Sequence, residues 1–332
     1  MTASKSWNPT INRNHLIRDA IGLGIYDCMK ADPSIYLFGE GASMKMHFDC
    51  PAIEKEFPER IITLPISEDG NTDFAVGASL VGVKPVVDVI TSDFLFRTMD
   101  GICNTAPKVN FVTETVEEKK TIVIRSENIT FGLTTGQRLE SLFTHIPGLN
   151  VIYPSNPKDA RGLMRTALRH PGVTLFFEDR MIADADTRPD DIEDSGKDIP
   201  FGKASIVHKG DRLTVVSYAL TLQRARKVIE AGVPFDGCEL IDLRSLYPLD
   251  MGAIRRSVRK TGRLLVIEPD IKHSGIGAEI LAEISESSDV KMSAKPHRSG
   301  APMTMIPASH FLHKDLIPTE DKIKKVMQER LN

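Results

Sequence analysis

Cysteine is scarce in this chain. Its 332 residues include only four cysteines, which lie far apart and form neither a CxxC pair nor a cluster with histidines. A structural zinc site is therefore not expected. The pattern is typical of reduced thiols in a cytoplasmic protein.

Long apolar runs and an excess of one charge are also lacking. The apolar stretches, such as residues 86–90, which Asp88 interrupts, are far short of the roughly 20 residues that cross a bilayer. Residues 1–20 are polar, without the apolar core of a signal peptide. The 42 basic residues nearly balance the 45 acidic ones, for a net charge of −3. We therefore expect neither a membrane nor a nucleic-acid partner.

The glycine-rich motifs of nucleotide-binding enzymes are missing as well. No GxGxxG opens a helix after a strand, and no GxxxxGK[ST] occurs, which argues against a nicotinamide-dependent oxidoreductase and a P-loop protein. The motifs HExxH and GxSxG are also absent.

What the chain has is a regular alternation of helical and β-branched segments. A length of 332 residues predicts about two domains, and the alternation predicts parallel sheets covered on both faces. We therefore predict an α/β protein of two doubly wound domains, residues 1–182 and 201–332. Residues 183–200 carry seven acids against two bases and are predicted to be a surface linker.

The periodicity also predicts the individual elements. Helices are expected at 16–30, 74–83, 159–169, 220–231, 251–260 and 278–287. Strands are expected at 34–38, 60–66, 85–90, 121–125, 150–153, 173–177, 204–208, 213–218, 239–243 and 264–268.

Glu68 is the first candidate for chemistry. It follows the strand predicted at 60–66 and precedes a turn with Gly70, and ligands of parallel α/β sheets bind beyond the carboxyl ends of strands. The alternative is that Glu68 only caps a helix that begins near Asp73. Local sequence leaves both interpretations open.

Several longer blocks resemble the β subunit of the thiamine-diphosphate-dependent E1 component of 2-oxo acid dehydrogenases. They include TLPISEDGNTDFAVGASLVGVKPVVDV, DFLFRTMDGICNTAPK and FTHIPGLNVIYPSNPKDARGLMRTAL. The blocks GKASIVHKGDRLTVVSYA, ELIDLRSLYPLDMGAI, LLVIEP and GIGAEI continue the match in order. The resemblance implies a transketolase-like pyrimidine-binding domain in residues 1–182 and a transketolase C-terminal-like domain in residues 201–332.

The resemblance implies a cofactor site around Glu68, which stands at the glutamate of the family's PISE motif. In that family the glutamate bonds N1′ of the aminopyrimidine, and a shared proton there favours the imino tautomer that removes the C2 proton. Phe94 matches the aromatic residue that packs on the pyrimidine, although it can equally be a core side chain. Thr91 belongs to the same T-x-x-F pattern, and Arg97 stands where a glutamine is common.

The resemblance also implies a partner chain. The family's β chain holds only the pyrimidine half of the cofactor, whereas an α chain with a GDG…N motif holds the diphosphate and Mg²⁺. Asp69-Gly70-Asn71 does not match that motif, so no metal is expected on this chain. We expect an α₂β₂ assembly.

One departure from the family bears on the reaction. The family's QHSQSLE is TTGQRLE at 134–140 here, so Thr135 replaces the active-site histidine linked to proton handling and acyl transfer. Gln137, Arg138 and His145 are candidates for the substrate or acceptor side in its place.

Two classes of function remain open. The first is a subunit that cleaves the bond next to a 2-oxo carbonyl, with a 2-oxo acid or a ketose as substrate. It then either passes an acyl group to a lipoyl acyltransferase or, as a transketolase-like or acyloin-forming carboligase, joins the activated aldehyde to an acceptor. The second is a non-catalytic α/β subunit that binds a partner.

Overall fold

The computed structural model describes residues 16–40, 50–112, 119–129, 133–182, 193–307, 309–313 and 315–332. The helices are α1 Leu16–Ala31, α2 Pro51–Glu56, α3 Glu68–Leu80, α4 Ala106–Val112, α5 Glu140–Phe143, α6 Pro157–Arg169, α7 Ala219–Glu230, α8 Met251–Thr261, α9 Ile276–Glu286, α10 His310–His313 and α11 Glu320–Leu331. The strands are β1 Ile35–Gly39, β2 Ile61–Thr63, β3 Lys84–Thr91, β4 Thr121–Asn128, β5 Leu149–Ile152, β6 Gly172–Asp179, β7 Ser205–His208, β8 Leu213–Ser217, β9 Cys238–Asp242, β10 Ser245–Tyr247, β11 Leu264–Ile271 and β12 His297–Ala301.

Seven strands form the first sheet, in the order β10-β5-β6-β4-β3-β1-β2. Every pair in it is parallel except β10 with β5. The antiparallel edge strand comes from the second half of the chain, so the two predicted domains share a sheet edge. The second sheet has the order β12-β11-β8-β9-β7 and is parallel except for β7.

Each sheet is buried on both faces, because consecutive strand residues enter different apolar clusters. In β4, Ile122 and Ile124 belong to one cluster and Val123 to another. In β8, Val216 belongs to the same cluster as Ile122, whereas Leu213 belongs to a third cluster. One apolar layer, which includes residues of α3, α8 and α9, therefore lies between the two sheets. Helices α1, α6, α7 and α11 cover the opposite faces, as in doubly wound folds.

The predicted fold class is confirmed, and so is the position of most elements. The main error concerns α3, which begins at Glu68 and not near Asp73. Local contacts favour the earlier start: the Asn71 side chain donates to the Pro65 carbonyl at 3.2 Å, and the Thr72 hydroxyl donates to the Glu68 carbonyl at 2.9 Å. Correspondingly, β2 ends at Thr63, earlier than the predicted strand at 60–66.

The predicted acidic linker lies partly outside the described residues, which omit 183–192. Its described end is bound to α6. Asp194 pairs with Arg165 at 2.9 Å, and Asp198 pairs with Arg169 at 2.8 Å. Among the described helices, none is long and apolar enough to span a membrane.

The packing of α1 on α6 gives a test of the fold. A Cβ on Gly24 would lie 2.9 Å from the Arg161 carbonyl oxygen and 3.1 Å from Met164 Cβ. We predict that Gly24→Ala lowers the free energy of unfolding by about 1–3 kcal/mol, because the two helices must separate. Urea unfolding of the full chain measures this change.

Gly77 in α3 is the matched control, since a Cβ there meets nothing within 4 Å in the described structure. Gly77→Ala should stabilise the chain by up to about 1 kcal/mol through helix propensity alone. Equal stability of the two variants would contradict the close helix contact.

Candidate functional site

Glu68 lies in the first turn of α3, just beyond the carboxyl end of β2. Its side chain is only 6% exposed. Ser67 occupies the N-cap position but makes no side-chain cap bond. The position of the Glu68 side chain is therefore not fixed by a serine cap. A carboxylate in the first turn is favoured by the helix dipole.

Arg97 is the side-chain partner that the described structure gives to the Glu68 carboxylate. Its Nε lies 3.1 Å from Glu68 Oε2, and its own side chain is 69% exposed. The pair joins α3 to the 3₁₀ helix Ser92–Thr98. The second carboxylate oxygen of Glu68 has no hydrogen-bond partner among the described residues, so it is available to another group.

A second acid, Glu40, lies beside Glu68 and was missed in the sequence. It follows β1 and accepts a hydrogen bond from the Ser67 amide at 2.9 Å. Burial, with smaller contributions from Glu68 and Asp88, raises the pKa of Glu40. The rule that singled out Glu68, an acid directly after a strand, also fits Glu40 and could have found it.

Thr91 and Phe94 lie where β3 passes into the 3₁₀ helix. Thr91 ends β3 and is buried, and its hydroxyl has no hydrogen-bond partner in the described structure. Phe94 is half-buried against the apolar layer between the sheets. A buried hydroxyl without a partner is uncommon and calls for an explanation, such as a group bound nearby.

Thr135 and Gln137 are joined to the same 3₁₀ helix. The Gln137 backbone N–H donates to Asp93 Oδ2 at 3.2 Å. This bond joins the loop that carries Thr135 and Gln137 to the residue before Phe94. The Thr135 hydroxyl and the Gln137 side-chain nitrogen are buried without hydrogen-bond partners in the described structure. The structure therefore gathers these two predicted residues beside the Phe94 segment.

Arg138 and His145 are placed differently. The Arg138 guanidinium is buried and donates to Asp179 Oδ2 at 2.8 Å and to the Tyr153 hydroxyl at 2.6 Å. Its charge is thus neutralised inside the protein. His145 is exposed in the turn after α5, and no described contact joins it to Glu68.

A group of buried acids beside Arg138 was not predicted. Glu140 is fully buried and accepts from the Tyr218 hydroxyl at 3.3 Å, and Asp270 at the end of β11 accepts from the Ser141 amide at 3.2 Å. Burial, followed by the carboxyl of Asp270, raises the pKa of Glu140 to about 8. The group joins the two sheets across a long sequence separation, so no local pattern indicates it.

Comparison with known proteins agrees with this arrangement. The family model of the transketolase pyrimidine-binding domain matches residues 15–184, and that of the transketolase C-terminal domain matches residues 202–323. The solved structure titled split gene transketolase, inactive beta4 tetramer, has the same fold. It is 19% identical with a TM-score of 0.77, over 95% of this chain and 97% of that one.

Curated relatives extend over most of the chain. The mitochondrial pyruvate dehydrogenase E1 component subunit beta-2 of Oryza sativa subsp. japonica is 33% identical over 92% of this chain and 84% of its own length. The pyruvate dehydrogenase E1 component subunit beta of Rickettsia bellii is 30% identical over 93% and 98%. The 2-oxoisovalerate dehydrogenase subunit beta of Bacillus subtilis is 28% identical over 94% and 97%. The resemblance read from the sequence is confirmed.

The raised pKa of Glu140 predicts a dependence of stability on pH. In the unfolded chain a glutamate ionises near pH 4.3, so between about pH 4.3 and 8 only the folded state keeps this proton. The free energy of unfolding should therefore fall as the pH rises through this window, by on the order of 1 kcal/mol per unit. Glu140→Gln, which is always neutral, should make that slope less steep in urea unfolding between pH 5 and 8, while buried acids such as Glu178 and Asp242, whose pKa values burial also raises, keep their own contributions.

Glu279→Gln on the exposed side of α9 is the control and should keep the slope of the original chain. If Glu140→Gln keeps the same slope as the control, the carboxyl is not held neutral at the junction of the sheets.

Proposed function

We propose that this chain, which belongs to the family of E1 β subunits built from transketolase pyrimidine-binding and C-terminal domains, is the β-type subunit of a heteromeric thiamine-diphosphate enzyme. The enzyme cleaves the bond next to a 2-oxo carbonyl and transfers the resulting acyl or aldehyde unit. The observation that carries the proposal is the placement of Glu68: a nearly buried carboxyl at the start of α3, with one oxygen free of described hydrogen bonds.

The residues around Glu68 fit an aminopyrimidine. The carboxyl offers an oxygen to a ring nitrogen, Phe94 offers an apolar ring on the 3₁₀ helix that also carries Arg97, and the unpartnered Thr91 hydroxyl offers a polar contact. Thiamine diphosphate, when bound, supplies a nucleophilic carbon that adds to the 2-oxo carbonyl. The task of Glu68 is to hold a proton at N1′ of the pyrimidine, and its burial keeps water from competing for that proton.

An α-type partner chain is proposed to dock on the outer side of α3. Phe74 and Leu80 on this helix, and Ile66 and Val81 on either side of it, are large apolar side chains that the described residues leave more than half exposed. Exposed apolar groups gathered along and beside one helix are typical of a protein interface. Glu68 lies at the start of the same helix, so the partner would hold the diphosphate and Mg²⁺ next to the pyrimidine. We propose an α₂β₂ assembly.

A carboligase is the second candidate, and Thr135 favours it. The threonine hydroxyl cannot carry a proton near neutral pH as a histidine does, so the step linked to lipoyl transfer lacks its usual group. Thr135 and Gln137 offer unpartnered polar atoms that could bind an acceptor carbonyl. None of the four cysteines, all of which lie in the described part of the chain, forms a disulfide, which supports a cytoplasmic location for either enzyme.

Replacement of Glu68 tests the proposal directly. Glu68→Gln should lower kcat at least a hundredfold in the assembled enzyme, because the amide cannot share a proton with N1′. Steady-state kinetics with saturating thiamine diphosphate measure the loss.

Asp69→Asn is the matched control, since Asp69 is exposed on the next position of the same helix turn. It should keep kcat within about twofold. If the assembled enzyme keeps full activity with Glu68→Gln, this chain is instead a non-catalytic subunit that binds a partner.

Product analysis separates the two catalytic candidates. The assembled enzyme is given a 2-oxo acid together with either a lipoyl domain or an aldehyde. We expect a hydroxyketone from the aldehyde if the carboligase candidate is right, and acyl-lipoamide if the dehydrogenase candidate is right. Mass spectrometry of both reactions distinguishes them, and Thr135→His should raise the acyl-lipoamide yield in the first case.

A further inference from the structure

An open pocket of about 520 Å³ lies on the second sheet. Its lining residues fall between positions 272 and 322, and none of them has a part in the proposed reaction. Its size is in the usual range for small-molecule sites. Four basic side chains line it, with apolar contacts from Met303 and Leu316. The basic residues are Lys272, His273, Arg298 and Lys322.

Two adjacent strands and α11 supply these residues. Lys272 follows the end of β11, at the edge of the sheet where ligands of parallel sheets bind, whereas Arg298 lies near the start of the parallel neighbour β12, opposite Val266. Lys322 comes from the first turn of α11. Arg298 Nη1 donates to the Lys272 carbonyl at 2.6 Å, which fixes the guanidinium and leaves Nη2 for a ligand.

The positive charge of the pocket is not neutralised by the described residues. Lys272, Arg298 and Lys322 form no ion pair with any described carboxylate, and Lys322 donates to the Asp315 backbone carbonyl. Glu268 lies under the pocket with Oε2 bound to the Gly277 amide at 3.0 Å. Burial raises the pKa of Glu268 to about 8, which favours its neutral form beside these cations.

The pocket adjoins the predicted acceptor side. A smaller cavity is lined by Gln137 and Arg138 on one side, and it shares Ala301, Pro302 and Leu316 with the basic pocket. The Gln137 loop therefore lies beside three of the residues that line the basic pocket.

We propose that this basic pocket binds the phosphate group of a phosphorylated small molecule. Two lysines and an arginine from separate elements supply charged donors to several oxygens of one group, which suits a tetrahedral dianion better than a carboxylate. If the molecule is also the acceptor substrate, that part of the inference rests on the proposed function. Binding itself does not.

Calorimetric titration of the full chain tests the proposal, with inorganic phosphate, glycerol 3-phosphate and acetate as probes at constant ionic strength. We expect saturable binding of both phosphates, with glycerol 3-phosphate at least as tight, and no saturation by acetate. Lys272→Gln and Arg298→Gln should each weaken binding about tenfold. Lys272 has no described side-chain hydrogen bond, so its variant stays informative if Arg298→Gln unfolds.

Lys295→Gln is the control, because Lys295 is exposed in the same half of the chain but does not line the pocket. It should leave both dissociation constants within about twofold. Absence of saturable binding, equal binding of acetate, tighter binding of inorganic phosphate than of glycerol 3-phosphate, or equal weakening by the control would each overturn the proposal. Glu68 does not line the pocket, so Glu68→Gln should leave this titration unchanged. Failure of phosphate binding and failure of the proposed function are therefore distinguishable.

Discussion

The apolar layer between the two sheets is the constraint on which the other features depend. Ile122 and Ile124 from the first sheet and Val216 and Val266 from the second lie in one continuous cluster with residues of α3, α8 and α9, which bury the inner faces of both sheets. Burial of such side chains is worth roughly 1.5–3 kcal/mol each. The layer holds the end of β11 against the loop before α5. It thereby creates the junction of Glu140 with Asp270 and places the Gln137 loop beside residues that line the basic pocket.

The candidate cofactor site lies at strand ends because the strands themselves are buried on both faces. In the first sheet, Glu40, Glu68 and Thr91 each follow or end a different strand, and the parallel arrangement brings these ends to one edge. In the second sheet, Lys272 follows β11, and the Arg298 side chain reaches its carbonyl from the start of the neighbouring strand β12.

Most of the fold could be predicted because its strands are short β-branched runs and its helices are periodic. The sequence also singled out Glu68, since an acid after a strand is a local pattern. The acids Glu140 and Asp270 could not be paired in advance, because 129 positions separate Ser141 from the aspartate that binds it. The β12 segment, HRSGA, has no β-branched residue, so the strand carrying Arg298 had no local signal. By contrast, Ile323, Met327 and Leu331 repeat at a spacing of four, and this pattern could have predicted α11.

The ion pair of Glu68 with Arg97 competes with cofactor binding, because the guanidinium bonds one oxygen of the carboxylate that would bind the pyrimidine nitrogen. The two side chains differ in exposure: Glu68 is almost buried, whereas Arg97 is 69% exposed. Ion pairs with such an exposed member contribute only about 0–1 kcal/mol, because water replaces the lost contact at little cost. Arg97 can therefore turn away while Glu68 stays fixed by α3. The buried carboxyl is the permanent part of the site, and the arginine is a partner that solvent can replace.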